Sequence, residues 1–444
     1  MTRFPSDLFA GQRFMVVGLG KNGLPAAHAL AAMGAAVEAW DDKPAARAAA
    51  SDVILRDPSA GDPTWDALIL SPGIPHRLPA PHPAAARAIA AGVPILSDTE
   101  LLYRAVRRAG SRARFAGITG TNGKSTTTAL LAHILEGASL ATAAGANLGP
   151  AALSLPLLPD EGVYVLEMSS YMLERLATLR FDAAAMLNLS ADHIDRHGDM
   201  ASYARAKRAI FDRQRAGDLA VVGIDDPGSR DMAAWLDAQP ARVVRVSGLD
   251  RAAERKRGPA LPGSHNAQNA AAAAAMAEFF GVDAAGIDRG LMTFPGLPHR
   301  QQRITTIDGV TFINDSKATN ADAAERALVC YDRLIWIAGG MAKEGGIEPL
   351  VPLFPRIART LLIGRDAPVF AATLAAHGVP HETVGTLAEA VPAAFAAAKA
   401  DHAPVVLLSP ACASWDQFTG YDQRGDRFAE LARGLAPAGS VGAR

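Results

Sequence analysis

Residues 117–128 read GITGTNGKSTTT, and the fold class turns on how this stretch is taken. The apolar run RFAGIT just before it has the make-up of a buried strand, and KSTTTALLAHIL after it that of a helix. A strand that turns through glycines into a helix leaves amides unpaired at the helix start, where the helix dipole favours anions. The common phosphate loop would carry a glycine where Ile118 stands. Here the glycines are Gly117, Gly120 and Gly123, with Lys124 and Ser125 directly after them. A turn with only a structural role has no use for a lysine followed by four hydroxyl residues, Ser125 to Thr128. Lys124 suits terminal phosphates, and the Ser125 hydroxyl suits Mg2+.

Outward from this loop, short apolar runs alternate with helical patterns along the chain. RFMVVGLG, AVEAWDD, WDALILSPGIP and GVPILSD form a first series. RFAGIT, GVYVLEMSS, FDAAAMLNLS, LAVVGIDDPGSR and ARVVRVSG form a second. A hairpin, ITTIDGVTFIND, with an Asp-Gly turn, opens a third that continues through RLIWIAGG, RTLLIG and PVVLLSP. The pattern predicts an α/β protein of three domains with mostly parallel sheets: a Rossmann-like N-terminal domain, a central P-loop-type ATPase domain and a Rossmann-like C-terminal domain. The expected boundaries are 1–104, 105–302 and 303–444, with FPGLPHR as the second linker.

The chain has 444 residues, 49% hydrophobic and 20% charged, with a formal net charge of −1. That balance gives no bulk pull toward nucleic acid or anionic membrane, so anions must be held locally. Two cysteines, Cys330 and Cys412, are too few for a disulfide framework and fit a reducing compartment. The start lacks the apolar core of a signal peptide, and NAAAAAAMAEFFG is too short and too polar at its start for a membrane span. A cytoplasmic enzyme, with no feature that demands a partner chain, is the expectation.

A second glycine loop, GLGKNG at 18–23, also follows a strand, and Asp41 and Asp42 close the next strand about twenty residues on. Alone, it admits a nicotinamide-dependent dehydrogenase, a nucleotide-sugar site, or a tight turn packed through glycine. Glu167, at the end of VYVLE, stands where a metal ligand would face a phosphate loop. NLSADHIDRH crowds Asp192, His193, Asp195 and His197 after another strand, without zinc-site spacing. Beside a phosphate loop, His193 is a candidate ligand for metal or phosphate.

GTNGKST, LEMSS, LNLSADHIDRH, GSHNAQNAAAA, GLPHR, NDSKATN and LSPACASWDQF occur in that order. Together they resemble the Mur ligases, ATP-dependent amide-forming enzymes of peptidoglycan synthesis. The likeness spans about three-quarters of the chain, and the loop resembles that family's phosphate cradle. NDSKATN, SPACASWDQFTGYDQRG and the opening GLGKNG are most similar to the branch that adds D-glutamate to UDP-N-acetylmuramoyl-L-alanine. Other members using another amino acid, such as L-glutamate, stay open as the alternative. Folylpolyglutamate synthase shares the central fold but lacks these terminal patterns.

The resemblance implies a role for each part. In the first domain, Gly18, Gly20, Lys21, Asn22 and Gly23 would hold the UDP diphosphate, with Asp41 near the uracil and Ser71, Gly73 and Asn147 completing the pocket. Gly120, Thr121, Asn122, Gly123, Lys124, Ser125 and Thr126 would cradle the ATP phosphates. Asn266 and Asn269 would meet the adenine, and Arg300 and Asp315 the ribose and phosphates. Two Mg2+ ions would be held by Ser125, Glu167, His193 and a carbamylated Lys207, with Lys124, His193 and Lys207 as the catalytic set. Lys317, Thr319, Lys343, Ser414 and Tyr421 would receive the glutamate. The third domain is expected to close over the second, because an acyl phosphate hydrolyses in water. The chain departs from the family around Lys343, in AGGMAKEGG. It also has Tyr421 where phenylalanine is more familiar, and Asp42 and Lys43 where a hydroxyl and an arginine are often seen.

Overall fold

Each of the three series folds into its own sheet, described from a computed structural model over residues 3–59, 63–250, 255–342 and 346–435. The first sheet contains β1 (Arg13–Val17), β2 (Ala36–Trp40), β3 (Ile54–Leu55), β4 (Ala67–Leu70) and β5 (Ile95–Leu96), all parallel, in the order β3-β2-β1-β4-β5. Because β1 sits between β2 and β4, the loops that leave these three strands share one edge. The GLGKNG turn, Asp41 and Ser71 therefore come together there.

The second sheet contains β6 (Arg114–Thr119), β7 (Thr142–Ala146), β8 (Val163–Glu167), β9 (Ala183–Met186), β10 (Leu219–Gly223) and β11 (Arg242–Val246). It is parallel throughout, in the order β11-β10-β9-β6-β8-β7. The strand feeding the phosphate loop, β6, has β8 on one side and β9 on the other. Chain order reverses at that point, so a crevice opens at the strand ends. β6, β8, β9 and β10 are buried almost along their whole length, as strands covered on both faces should be. Phe115 stacks on Tyr164 with ring centroids 4.8 Å apart.

These two sheets belong to one compact unit, residues 1–257 with 264–294. Residue 104, the expected first boundary, falls inside the helix Asp98–Arg108. The buried Glu100 carboxylate accepts from the amides of Ala177, Thr178 and Leu179 and from the Thr178 hydroxyl. One apolar cluster runs from Phe9 and Val16 through Phe115 and Tyr164 to Phe181. Shared burial of this kind makes the two sheets cohere.

The second unit comprises residues 258–263 and 295–444. Its main sheet contains β12 (Gln302–Ile307), β13 (Val310–Asn314), β14 (Leu334–Gly339), β16 (Ile357–Ile363), β17 (His381–Gly385) and β18 (Val405–Leu408). Between these, β15 (Met341–Ala342) pairs antiparallel with β19 (Cys412–Ala413). The order of the main sheet is β12-β13-β18-β14-β16-β17. Only β12 and β13 among its described pairs run antiparallel, joined at Asp308 (φ 48°) and Gly309 (φ 80°). Two positive φ values in a two-residue loop match the twist of a hairpin, and Asp-Gly tolerates them. Trp336, on β14, is fully buried and its indole N–H donates to the Ser409 carbonyl at 2.8 Å.

Candidate active site

The phosphate loop is held in place from β9. Asn188, two residues past that strand, accepts from the Asn122 amide at 2.8 Å and returns a bond from Nδ2 to the Asn122 carbonyl at 3.0 Å. Its own carbonyl takes the Thr121 amide at 3.0 Å, and the Thr121 hydroxyl closes a further pair with Ser190. The amides of Thr121 and Asn122, expected among the phosphate donors, are thus bonded to protein acceptors. Asn188 lies within the LNLSADHIDRH stretch, but it carries no charge and was not named among the candidate site residues.

Gly123 caps the helix Lys124–Gly137 with φ 84°. A Cβ there would stand 2.4 Å from Asn269 Oδ1, so side-chain-free backbone is required both conformationally and sterically. Asn269 in turn donates to Asn266 Oδ1 at 3.0 Å, and both are buried on the helix Gly263–Phe279. Of the two asparagines expected at the adenine, Asn269 thus lies against the loop and Asn266 is bonded to it. Ser125 is buried in the first turn, whereas Thr126 is half-buried.

Two lysines meet on one oxygen. Lys124 Nζ donates to the carbonyls of Gly120 (2.9 Å) and Thr121 (2.8 Å), and Lys207 Nζ reaches the same Gly120 carbonyl at 2.8 Å. Lys207 is 2% exposed, on the helix Met200–Arg208. Burial, with the neighbouring Lys124 charge, holds its ammonium well below the usual lysine range, against a smaller opposing pull from Asp192. A lysine so placed has access to its neutral, nucleophilic amine.

Glu167 ends β8 and is 2% exposed. Oε1 accepts from Asn147 Nδ2 at 2.6 Å, and Oε2 is buried with no hydrogen-bond partner. An unpaired buried carboxylate oxygen is costly unless a cation completes it. Among the described residues no group of three or more His, Cys, Asp and Glu side chains could hold a metal ion. Glu167 and the Ser125 hydroxyl are oxygen donors, whose chemistry, completed by phosphate oxygens, fits a hard cation such as Mg2+. His193 adopts φ 53° and packs its ring 5.2 Å from Tyr171, with Asp192 at 3.4 Å. Burial lowers its imidazolium pKa, with Asp192 opposing. His197 is turned elsewhere, to Ser170 (2.9 Å) and Glu174 (3.3 Å).

At the first sheet, Gly23 is required because a Cβ would fall 1.8 Å from the Gly18 carbonyl, which also accepts from Ser71 Oγ at 2.7 Å. Gly20 and Lys21 are exposed. Asp41 braces the loop: its carboxylate accepts from the amides of Leu19 (2.7 Å) and Lys43 (2.9 Å). Asn22 points to the second sheet, donating to the Ala146 carbonyl at 3.2 Å and lying 3.5 Å from Asp98. Asn22, Ala146, Asn147 and Glu167 thereby connect the first glycine loop to the candidate metal carboxylate.

In the second unit, Lys317 Nζ donates to the Tyr421 hydroxyl at 2.9 Å, a bond the more familiar phenylalanine could not accept. Asp315 accepts from Ser409 Oγ (2.8 Å) and the Gln301 amide (3.1 Å). Burial pushes its carboxyl up to about 7, opposed by these bonds and by Arg300. Thr319 is half-buried and Ser414 is buried near the end of β19. Lys343 lies outside the described residues. Arg424, 1% exposed, joins the pieces by donating to Ser316 Oγ, the Ser316 carbonyl and the Cys412 carbonyl. It was not among the expected residues, because a buried arginine has no sequence signature.

The sequence profile described as "Mur ligase middle domain" matches residues 118–258, and that described as "Mur ligase, glutamate ligase domain" matches 299–412. A protein of Paramagnetospirillum magneticum named UDP-N-acetylmuramoylalanine–D-glutamate ligase is 49% identical, over 98% of this chain and 99% of its own. A protein of the same name from Rhodospirillum rubrum is 48% identical, over 97% and 96%. Among solved structures, the UDP-N-acetylmuramate–alanine ligase of Thermotoga maritima has the same fold, with a TM-score of 0.59 at 18% identity, over 95% of this chain and 99% of that one.

Proposed function

The chain belongs to the Mur ligase family, and from that premise we propose that it joins D-glutamate to UDP-N-acetylmuramoyl-L-alanine with consumption of ATP, in peptidoglycan precursor synthesis. The observation that carries the reading to this site is the meeting of Lys124 and Lys207 on one carbonyl of a loop braced by Asn188, with the unpaired Glu167 oxygen at the end of the strand next to the one that feeds this loop. The near full-length likeness to proteins named for D-glutamate addition supports the choice of amino acid.

In this reading residues 1–104 bind the UDP portion, 105–302 the ATP and 303–444 the amino acid. The acceptor's carboxylate attacks the γ-phosphorus, giving an acyl phosphate and ADP. Lys124 swings from its loop carbonyls to the terminal phosphates and offsets the charge that gathers there. Mg2+ held by Ser125, Glu167 and His193 would add to that neutralisation. The neutral Lys207 amine adds to CO2 and gives up a proton to solvent, and the resulting carbamate turns a repelling cation into an anionic ligand. Lys317 and Lys343 pair with the carboxylates of glutamate, Ser414 and Thr319 supply hydroxyls, and Tyr421 steers Lys317. The glutamate amine then attacks the acyl carbon and phosphate departs. No helix among the described residues is long and apolar enough to cross a membrane, and two unpaired cysteines suit a reducing cytoplasm.

The test is phosphate release from ATP with Mg2+ and UDP-N-acetylmuramoyl-L-alanine, with and without D-glutamate. Release that depends on D-glutamate, and only weakly on L-glutamate, is expected. Equal rates without any amino acid would defeat the ligase reading.

A further inference from the structure

The segment after β4, Leu70-Ser71-Pro72-Gly73-Ile74-Pro75, has more carbonyls than donors, because Pro72 and Pro75 carry no N–H. Within the turn the Ile74 amide reaches the Ser71 carbonyl (3.0 Å), and the Leu70, Gly73 and Ile74 carbonyls take side-chain donors from outside it. They come from two arginines that lie more than a hundred residues further along the chain. Arg175 donates from Nη1 to the Leu70 carbonyl (2.7 Å) and the Ser71 carbonyl (3.1 Å), and from Nη2 to the Ile74 carbonyl (2.5 Å). Its Nε lies 3.4 Å from His76 Nδ1, so four of its five N–H donors go to one short segment. Arg175 is 2% exposed. Arg196 Nη1 donates to the Gly73 carbonyl at 3.0 Å while its guanidinium lies 4.5 Å over the Tyr171 ring. Burial pulls the Arg175 guanidinium down to about 10, so it still bears its charge near neutrality.

The turn so held is the one whose Ser71 hydroxyl bonds the Gly18 carbonyl. Arg196 lies three residues from His193, and Tyr171, which it covers, also packs against His193. A salt bridge would anchor a side chain only. Four carbonyls held by two guanidinium groups set the peptide planes of the turn, and hence where Ser71 and Gly73 point.

We propose that Arg175 and Arg196 are positioning residues for the nucleotide-sugar pocket. They hold the 70–75 turn in its ligand-ready form and couple it to the loop that carries His193. The inference rests on the reading of Ser71 and Gly73 as acceptor-binding residues given above. Calorimetric titration of the full-length protein with UDP-N-acetylmuramoyl-L-alanine tests it, with ATP titrated in parallel. Arg196→Met keeps bulk over Tyr171 but loses the bond to Gly73. It should weaken acceptor binding about tenfold, equivalent to about 1.4 kcal/mol, with ATP affinity within about twofold. Arg196→Lys should recover part of the loss, since one amine can still reach one carbonyl. Arg175→Lys cannot span three carbonyls and should weaken the acceptor further. A merely structural role would lower the melting temperature and leave acceptor affinity alone. Uptake by wild type with both Arg196→Met and Arg175→Lys within about twofold of it would overturn the inference alone. Wild-type protein that takes up no acceptor would overturn the reading of the site as well.

Discussion

Replacing Gly123 by alanine separates a glycine that the phosphate loop requires from one that merely occurs there. At φ 84° an alanine costs about 1–2 kcal/mol relative to glycine. Its Cβ would stand 2.4 Å from Asn269 Oδ1 and 3.1 Å from Asn269 Cγ and Nδ2. Asn269 is buried and has to swing away, giving up its bond to Asn266, worth about 1 kcal/mol. The sum is about 2–3 kcal/mol. If the loop escapes the strain by leaving its present form, ATP should bind about 30- to 150-fold more weakly. If the loop is held, the cost should appear as a melting temperature lower by roughly 5 °C or more. Calorimetry with ATP and a thermal melt on the same preparation cover both cases. Gly137→Ala is the control: its φ is not positive and nothing lies within 4 Å of the added carbon. ATP affinity and melting temperature both unchanged in Gly123→Ala would refute the reasoning.

Asn188→Ala removes both side-chain bonds to Asn122 and should cost about 2 kcal/mol, a roughly 30-fold loss in kcat/KM for ATP; Asn188→Asp, which keeps the acceptor, should fall between. A lysine with a depressed folded pKa binds fewer protons folded than unfolded, so its contribution to stability rises with pH toward the unfolded value of about 10.4. Lys207→Met should flatten that slope in denaturant melts made without bicarbonate, and should also abolish ligation; an unaltered slope would count against the buried amine. Asp315 has the opposite sense: its raised pKa makes a contribution present at low pH that is lost as pH rises through about 7. Asp315→Asn should therefore lose less stability than wild type between about pH 4 and pH 7, and equal losses in the two proteins would exclude Asp315 as the source.

Much of the fold was legible where local patterning is strong. The Asp308-Gly309 hairpin, the strands bearing Val, Ile and Leu, and the helix after Lys124 all follow from residue type and spacing. β7, whose sequence is TAAGA, passed unnoticed because alanine and glycine carry no strand signature. β17, HETVG, is a half-exposed edge strand whose polarity reads as loop. The helix through residue 104 was legible in TELLYRAVRRAG, but the buried anchoring by Glu100 was not, since it depends on amides 77 to 79 residues away. Asp41 shows a different limit. Its position after β2 was legible, but not that its carboxylate is taken up with the Leu19 and Lys43 amides.

By itself the sequence determined the local chemistry: glycine turns between strand and helix, a lysine and hydroxyls at a helix start, carboxylate and asparagine at strand ends. Those are consequences of backbone geometry within a few residues. Only the tertiary structure decided which of these groups share a volume. Strand order places β6 between β8 and β9, and that order brings Glu167, Asn188 and the phosphate loop to one crevice. Lys207 reaches Gly120 across 87 residues, and Arg175 reaches Leu70 across 105. Side-chain periodicity repeats every two or 3.6 residues and holds no record of such distances; long-range packing of sheets and helices does.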